Sequence, residues 1–368
     1  MNEKTQPCTH CGAVHPRVNL TGMGSAELCP ECLQRYTVCC DCCGERIWMA
    51  NDYGTHYLHL CASCRADNYV TCENCGALIP QEDAHYNDED EAYCDSCYER
   101  GYGGTIHNYS YKPEPIFYGD GPLYLGVELE VDEAGKDNIN AVQALRAFNQ
   151  ENVYGYVKSD GSLNDGFELV THPCTLETHL QQVPWRETLE ALRGMGYRSH
   201  APGTCGLHVH VSRKALGKDV YEQEETIAKL LYIFERFWQE ILRFSRRTES
   251  QINHWAARYG YKDRGEEILK EAKHGANGRY ACINLTNTDT IEFRVFRGTL
   301  KYNTVIATLQ FVANLCRVAI SLPEYRIQEF SWPALIEALT QDNCPELVQY
   351  LKERNLYVNE PVTAEREV

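Results

Sequence analysis

Cys-x-x-Cys pairs recur at a fixed interval through the first third of this 368-residue sequence, and no other feature restricts the fold so tightly. Cys8-Thr-His-Cys11-Gly12, Cys40-Asp-Cys-Cys43-Gly44 and Cys72-Glu-Asn-Cys75-Gly76 stand 32 residues apart. Each is answered by a closing pair, Cys29-Pro-Glu-Cys32, Cys61-Ala-Ser-Cys64 and Cys94-Asp-Ser-Cys97, after 17, 17 and 18 intervening residues. This is the C-x₂-C-x₁₅₋₂₀-C-x₂-C spacing of structural zinc sites. The glycine after each opening pair suits the tight turn a zinc knuckle needs, because Gly accepts positive φ.

Three modules follow, 1–36, 37–68 and 69–100, each too small to fold on apolar burial, so that three structural Zn²⁺ ions supply much of the folding energy. Four thiolates per ion leave no open coordination position, which makes the sites structural rather than catalytic. Cys39 and Cys42 offer the second module an alternative register. His10, His56 and His85 stand as alternative ligands or as partners of the ligands.

Fourteen of the 19 cysteines precede residue 100. The opening Met-Asn-Glu-Lys-Thr-Gln-Pro lacks the apolar stretch of a signal peptide, so metal chelation is favoured over disulfides. No uninterrupted apolar run reaches the ~18–20 residues needed to span a membrane, and a soluble cytoplasmic protein is expected. Cys174, Cys205, Cys282, Cys316 and Cys344 are scattered and read as small buried hydrophobes, with Cys205, beside a His pair, the one to weigh as a nucleophile. The net charge is −17, and residues 1–100 hold six Lys or Arg against sixteen Asp or Glu. Each four-thiolate zinc site adds about −2 more. So acidic a region favours a peptide or protein contact over DNA or RNA.

The remainder carries polar pairs at i, i+2 between apolar neighbours: Glu128 and Glu130 in Gly-Val-Glu-Leu-Glu-Val, His208 and His210 in Gly-Leu-His-Val-His-Val, Glu292 and Arg294 in Ile-Glu-Phe-Arg-Val-Phe. On a strand this spacing aims both polar groups to one face, ~6.5–7 Å apart, and the apolar neighbours into a core. Solvated strand faces usually carry Thr, Lys, Ser or Arg. Carboxylates and imidazoles on several strands are instead the ligands that Mg²⁺, Mn²⁺ or Zn²⁺ require.

After a Gly-, Pro- and Tyr-rich stretch at 101–122, read as a linker, strands are predicted near 123–131, 153–158, 166–171, 206–212, 280–286 and 290–297. Helices are predicted near 138–149, 176–194, 220–246, 303–321, 332–340 and 345–354. Without strict βαβ alternation, the fold class is α+β on an antiparallel sheet, with a domain at 123–325 and a C-terminal helical extension at 326–368.

The ordered set Gly126-Val-Glu128-Leu-Glu130, Lys158-Ser-Asp160-Gly-Ser-Leu running to Glu168, His208-Val-His210, Arg279-Tyr280 and Thr290-Ile-Glu292-Phe-Arg294 resembles the amidoligase family of the glutamine synthetase-like carboxylate–amine ligases, over roughly residues 123–320. The resemblance implies a funnel-shaped site on a curved antiparallel sheet where Mg²⁺ or Mn²⁺ ions hold ATP against a substrate carboxylate. In that picture Glu130, Asp160 and Glu168 hold one ion, and Glu128, His208 and Glu292 another. Arg294 and Arg279 orient phosphate or carboxylate, with Lys158, Arg297 and His210 as further cofactor contacts. The implied reaction is phosphoryl transfer to a carboxylate, followed by amine attack on the acyl phosphate, the substrates including peptides or proteins. Two positions depart from the family: Thr290 stands where an Arg is expected, so a phosphate contact must come from elsewhere or be absent, and Asp160 stands for a Glu. A zinc-ribbon adaptor with a degenerate ligase-like domain, and a phosphotransferase that captures no amine, remain as alternatives.

Overall fold

The computed structural model describes residues 5–87, 90–99, 104–274 and 278–357. The first three residues of the expected linker and the tail from 358 lie outside them. The chain divides into two compact units, Met1–Gly104 and Thr105–Val368.

The first unit repeats one motif. A short hairpin (Thr5–Pro7 with Val14–Pro16, Thr37–Cys39 with Arg46–Trp48, Tyr69–Thr71 with Leu78–Pro80) leads into each opening Cys pair, and a helix (Pro30–Tyr36, Ala62–Asn68, Asp95–Glu99) carries each closing one. The cores are minimal: Leu28, Leu60 and Ile79 each pack among their own module's cysteines. Gly12, Gly44 and Gly76 take φ of 76°, 75° and 71°, the left-handed turn their position demands.

In the second unit eight strands form one sheet: β1 (Ile106–His107), β2 (Tyr124–Val131), β3 (Gly155–Lys158), β4 (Phe167–Thr171), β5 (Cys174–Thr175), β6 (Leu207–Ser212), β7 (Ile283–Asn284) and β8 (Thr290–Phe293). The order is β1-β3-β4-β2-β6-β8-β7, with β5 paired to the start of β2. All pairings are antiparallel except β1 with β3, so the expected antiparallel sheet is mixed at one edge. The helices are α1 (Asn138–Phe148), α2 (Leu176–Gln181), α3 (Trp185–Gly194), α4 (Val220–Arg236), α5 (Trp238–Ser245), α6 (Glu249–Trp255), α7 (Gly265–His274), α8 (Tyr302–Ser321), α9 (Glu324–Gln328), α10 (Trp332–Leu339) and α11 (Pro345–Glu353).

Alternation along the strands divides the sheet. Leu125, Val127, Leu129, Val131, Phe167, Leu169, Leu207, Val209, Val211, Ile291 and Phe293 are all fully buried in one hydrophobic core with α4 and α8. Helix α8 is long and apolar enough to cross a membrane by length and composition, but 83% of that stretch is buried, as the centre of this core.

Three expectations change. The predicted helix 176–194 is broken at Val183-Pro184 and the predicted helix 220–246 at Phe237; at the first, Pro184 cannot continue the ladder. The segment read as a linker is built into the second unit from Thr105 onward: β1 pairs with β3, the Ile116 amide donates to His172 Nδ1 at 3.3 Å, and Tyr118 bridges Cys174. Its prolines favour an extended course rather than a flexible one. Nor is the described part of 326–368 an appendage, since Leu335, Ile336, Leu339, Leu347 and Leu351 are buried in the same core and Tyr350 donates to the Phe244 carbonyl at 2.6 Å.

Beneath β2, His179 on α2 is 1% exposed, with Nε2 3.0 Å from the Leu125 carbonyl and Nδ1 3.3 Å from the indole nitrogen of Trp185. The neutral ring, with its proton on Nε2, donates to one and accepts from the other, and burial lowers its pKa from 6.5 to about 4. Because the unfolded chain takes up this proton first, stability is whole above pH ~6.5 and falls as pH drops toward ~4, by roughly 3 kcal/mol from this group. Urea unfolding across that range will show the slope, and His179→Gln will flatten it.

Candidate functional site

Strand register assembles the polar face row by row. Glu128 lies opposite His208 on one side and Val170 on the other, Glu130 opposite Glu168, Glu168 opposite Lys158, and His210 opposite Glu292, which faces Asn284. Six strands thus place one residue after another along a wall. The wall backs a cavity of about 820 Å³, also lined by Asp160, Arg247, Arg279, Thr290 and Arg294.

His208 Nδ1 is 3.2 Å from Glu128 Oε2, 3.5 Å from Glu292 Oε1 and 3.8 Å from Glu130 Oε1. His210 Nε2 is 3.1 Å from Glu128 Oε1 and 3.9 Å from Glu292 Oε1, yet it is buried and makes no hydrogen bond. Glu292 receives Arg294 at 2.5 Å and the Asn284 amide at 2.8 Å. Lys158 Nζ stands 3.4 Å from Glu168 Oε2. Glu130, 4% exposed, is held by the Gly206 amide.

These carboxylates are crowded beyond what their cations neutralise. Burial acts to raise Glu128, but His210 and His208 outweigh it and hold that carboxyl well below the usual range. For Glu168, burial and then Glu128 raise the pKa well above the ordinary value, against the pull of Lys158. Burial also raises Glu130, despite His208. His210 is raised, since Glu128 and Glu292 overcome its burial.

Two sets of ligand atoms converge within 4.8 Å: Glu128, His210 and Glu292, and Glu128, Glu168 and His208. The donor chemistry, carboxylate oxygen with imidazole nitrogen, fits a divalent cation, as does the orphaned His210 nitrogen. The grouping departs from the one the resemblance implies. Glu128 is shared because it occupies the central strand, between β4 and β6, while Glu130 and Asp160 fall outside both sets. Asp160 caps its own turn, accepting from the Ser162 amide at 2.7 Å and the Ser162 hydroxyl at 2.5 Å.

Arg279 lines the cavity from its exposed rim, bonded to the hydroxyls of Tyr109 and Tyr280. Arg297 does not line it: beyond β8 the chain turns away, its amide bonds the Ser245 carbonyl and its guanidinium reaches the Arg246 carbonyl at 3.5 Å. Cys205 is fully buried and its thiol is pushed up to about 12 by that burial, which makes it a packing residue.

Three features were not read from the sequence. Arg247 is 6% exposed, donates to the Phe296 carbonyl at 3.3 Å, and keeps Nε and Nη1 without a partner; burial lowers it to about 10 against the pull of Glu130. Asp132, the next alternate residue after Glu130, accepts from the amides of Asp165 at 2.7 Å and Asn164 at 3.2 Å and from the Thr204 hydroxyl at 2.9 Å, so it fixes the loop that carries Asp160. Tyr109, Ser110, Lys112, Pro113 and Pro115, from the supposed linker, line the cavity as well.

The resemblance now has independent support. Residues 146–316 match the family described as "Putative amidoligase enzyme". That span begins within α1 and so leaves the Glu128–Glu130 strand outside it. The crystal structure of a bifunctional glutathione synthetase from Pasteurella multocida aligns at 15% identity and a TM-score of 0.31, over 63% of this chain and 46% of that chain. The crystal structure of the complex between Prokaryotic Ubiquitin-like Protein Pup and its ligase PafA aligns at 12% identity and a TM-score of 0.28, over 66% of this chain and 59% of that chain. This chain thus spans less than two thirds of either. No curated protein matches the sequence.

In the first unit three tetrads gather: Cys8, Cys11, Cys29 and Cys32; Cys40, Cys43, Cys61 and Cys64; Cys72, Cys75, Cys94 and Cys97. The Cys11–Cys29, Cys43–Cys61 and Cys75–Cys94 sulfur separations are 3.8, 3.9 and 3.8 Å. The edge of a tetrahedron built on ~2.3 Å zinc–sulfur bonds is about 3.8 Å. Amides of Cys11 and Cys29 lower the Cys8 thiol to about 6, and those of Cys61 and Cys43 do the same for Cys40.

Cys39 ends its hairpin strand opposite Arg46, where the other modules have Pro7 and Thr71, and neither it nor Cys42 joins a tetrad. His85 pairs with Asp95 at 2.7 Å, and His10 packs on Tyr36. Elemental analysis of purified variants is expected to show about one zinc per chain lost in Cys40→Ser and none in Cys39→Ser. Equal loss in both would reverse the register.

Proposed function

We propose that the second unit is an ATP-dependent carboxylate–amine ligase that forms an amide or peptide (isopeptide) bond through an acyl phosphate, and that the zinc modules recruit a peptide or protein partner. One observation carries this reading: hard oxygen and nitrogen ligands on adjacent strands share a cavity with Arg247 and Arg294, whose guanidinium nitrogens include buried atoms without partners. A metal–carboxylate wall facing unsatisfied guanidinium groups suits a metal-bound polyphosphate.

Glu128, Glu168, Glu292, His208 and His210 would hold Mg²⁺ or Mn²⁺, which when bound neutralises polyphosphate charge and polarises the phosphoryl oxygens. The chain's own groups do the positioning. Arg294, tied to Glu292, and Arg247, entering between α5 and α6, present guanidinium forks to phosphoryl or carboxylate oxygens. Arg247 supplies the guanidinium that Thr290 lacks. Lys158 is anchored by Glu168, where it can meet an anion while keeping its charge: its pKa is raised because Glu168 and Glu128 outweigh its burial.

In the first step a carboxylate oxygen of the substrate attacks the γ-phosphorus, the β–γ anhydride bond breaks and ADP leaves. In the second an amine nitrogen attacks the acyl carbon, inorganic phosphate leaves with its bonding pair, and the nitrogen sheds a proton to solvent. The first 104 residues, acidic and metal-organised, suit a basic peptide or protein segment as the recruited partner.

The test supplies ATP, Mg²⁺, pooled amino acids and short peptides, with hydroxylamine to trap acyl phosphate, and reads hydroxamates by mass spectrometry. A hydroxamate whose formation falls about 10²–10³-fold in both Glu128→Gln and Arg247→Gln is expected, as for loss of one charge-stabilising group. Undiminished hydroxamate in both would remove these residues from the chemistry. A stable phosphorylated product without hydroxamate would make the domain a phosphotransferase.

A further inference from the structure

A second cavity of about 500 Å³ opens in the ligase-like unit, away from the polar face of the sheet. Its volume falls within the range of small-molecule sites, roughly 300–1,000 Å³. Arg193 from the end of α3, Arg198, Arg246 from the end of α5, Lys301 before α8 and Arg354 after α11 all line it. Glu353 is the one carboxylate among the lining residues, and it is bonded to Lys301 at 2.8 Å. Five cations against one acid is a sharp local inversion in a chain of net charge −17.

The floor is made of buried hydroxyls. Ser199, Thr299, Thr304 and Tyr350 are each at most 3% exposed, though Ser199 already donates to the Glu130 carbonyl at 2.7 Å and Tyr350 to the Phe244 carbonyl. Thr299 accepts from the Lys301 amide at 3.1 Å, which leaves its own proton to donate. The Thr299 hydroxyl thus stands as a donor under a ring of cations, and charge-assisted contacts of that kind suit anions carrying several oxygens.

Arg246 anchors the site, and it is the strained residue of the region. It holds φ at 65°, the left-handed conformation, at the C-terminus of α5 where Gly or Asn is usual. Its guanidinium meets only neutral acceptors: His200 Nδ1 at 3.2 Å, the Gly298 carbonyl at 3.4 Å and the Arg297 carbonyl. Its Nε is buried and has no partner. A non-glycine residue in this conformation is strained, and such strain concentrates at ligand sites. The adjacent residue, Arg247, lines the first cavity. One turn therefore presents consecutive arginines to two different cavities.

We infer that the second cavity is a binding site for a compact anion bearing two or more phosphoryl groups, held by Arg193, Arg198, Arg246 and Arg354 above a floor that includes Thr299 and Thr304. A single carboxylate would use few of these donors; a short phosphoryl chain, free or on a nucleotide, engages most of them.

The experiment is calorimetric titration of the full-length protein with sodium tripolyphosphate, without added divalent cation, in the wild type, in Arg193→Ala/Arg198→Ala and in Arg294→Ala. Both substituted cations of the double variant are exposed, so its fold is expected to be intact, which circular dichroism checks. Two lost charge-assisted contacts are expected to weaken tripolyphosphate binding at least about tenfold in the double variant, while Arg294→Ala retains it. ADP in the same titrations separates the sources: weakening of the same order in the double variant assigns a nucleotide's phosphoryl chain to the site, and an unchanged ADP isotherm assigns the free chain. Equal tripolyphosphate affinity in wild type and double variant, or loss of all binding in Arg294→Ala, overturns the inference. No turnover or divalent metal enters the measurement, so its outcome is independent of the ligase reading.

Discussion

Glu128 between two imidazoles is the contact on which the polar wall depends. A carboxylate at the centre of a buried sheet face is costly unless paired. Here His208 and His210 approach it from the neighbouring strand at 3.2 and 3.1 Å. Removing either ring would leave Glu128, Glu168 and Glu292 repelling one another in a poorly hydrated space. The pairing in turn depends on register: a slip of one residue on β6 would send both imidazoles into the core and Val209 into the cavity. What prevents the slip is the opposite face, where Leu207, Val209 and Val211 are fully buried. Apolar packing below and charge pairing above therefore fix the same alignment.

The wall was legible because strand alternation has period two and each strand announces itself by its residue types. Glu128, Glu130, His208, His210, Glu292 and Arg294 all reached the cavity, and the cysteine tetrads followed from spacing alone. Arg297, three residues past Arg294, came from the resemblance and not from alternation, which puts residues 294 and 297 on opposite faces, and the structure keeps it out of the cavity. Alternation does not separate a ligand from a clamp: Asp132 continues the Glu128–Glu130 series, yet it spends its oxygens on backbone amides.

Arg247 was invisible for a different reason. It follows α5 in a Ser-Arg-Arg-Thr stretch that resembles any solvated helix end, and only the tertiary fold buries it. A signal for the next helix did exist, since Thr248 and Gln251 form a capping box that opens α6. Helix α6 begins at Glu249, two residues after Arg247, so the turn between α5 and α6 is short and both of its arginines are held between two helices. The supposed linker shows the converse. Gly, Pro and Tyr suggest mobility by composition, but a ring stacked on His107 at 3.6 Å and a strand added to the sheet fix the segment, and Tyr109, Ser110, Lys112, Pro113 and Pro115 line the cavity.

The charge distribution extends this logic. An acidic chain repels free phosphorylated ligands at long range, and screening limits that repulsion to about 8–10 Å at physiological salt. Within that distance local cations decide. In the first cavity the guanidinium groups sit beside a surplus of carboxylates, so an anion entering alone meets repulsion that a divalent cation would remove; in the second, cations face a single acid and no metal is required. On the two proposals made above, the cavities select different forms of the same chemistry, metal-bound in one and metal-free in the other, and the consecutive Arg246 and Arg247 line one cavity each from a single turn of backbone.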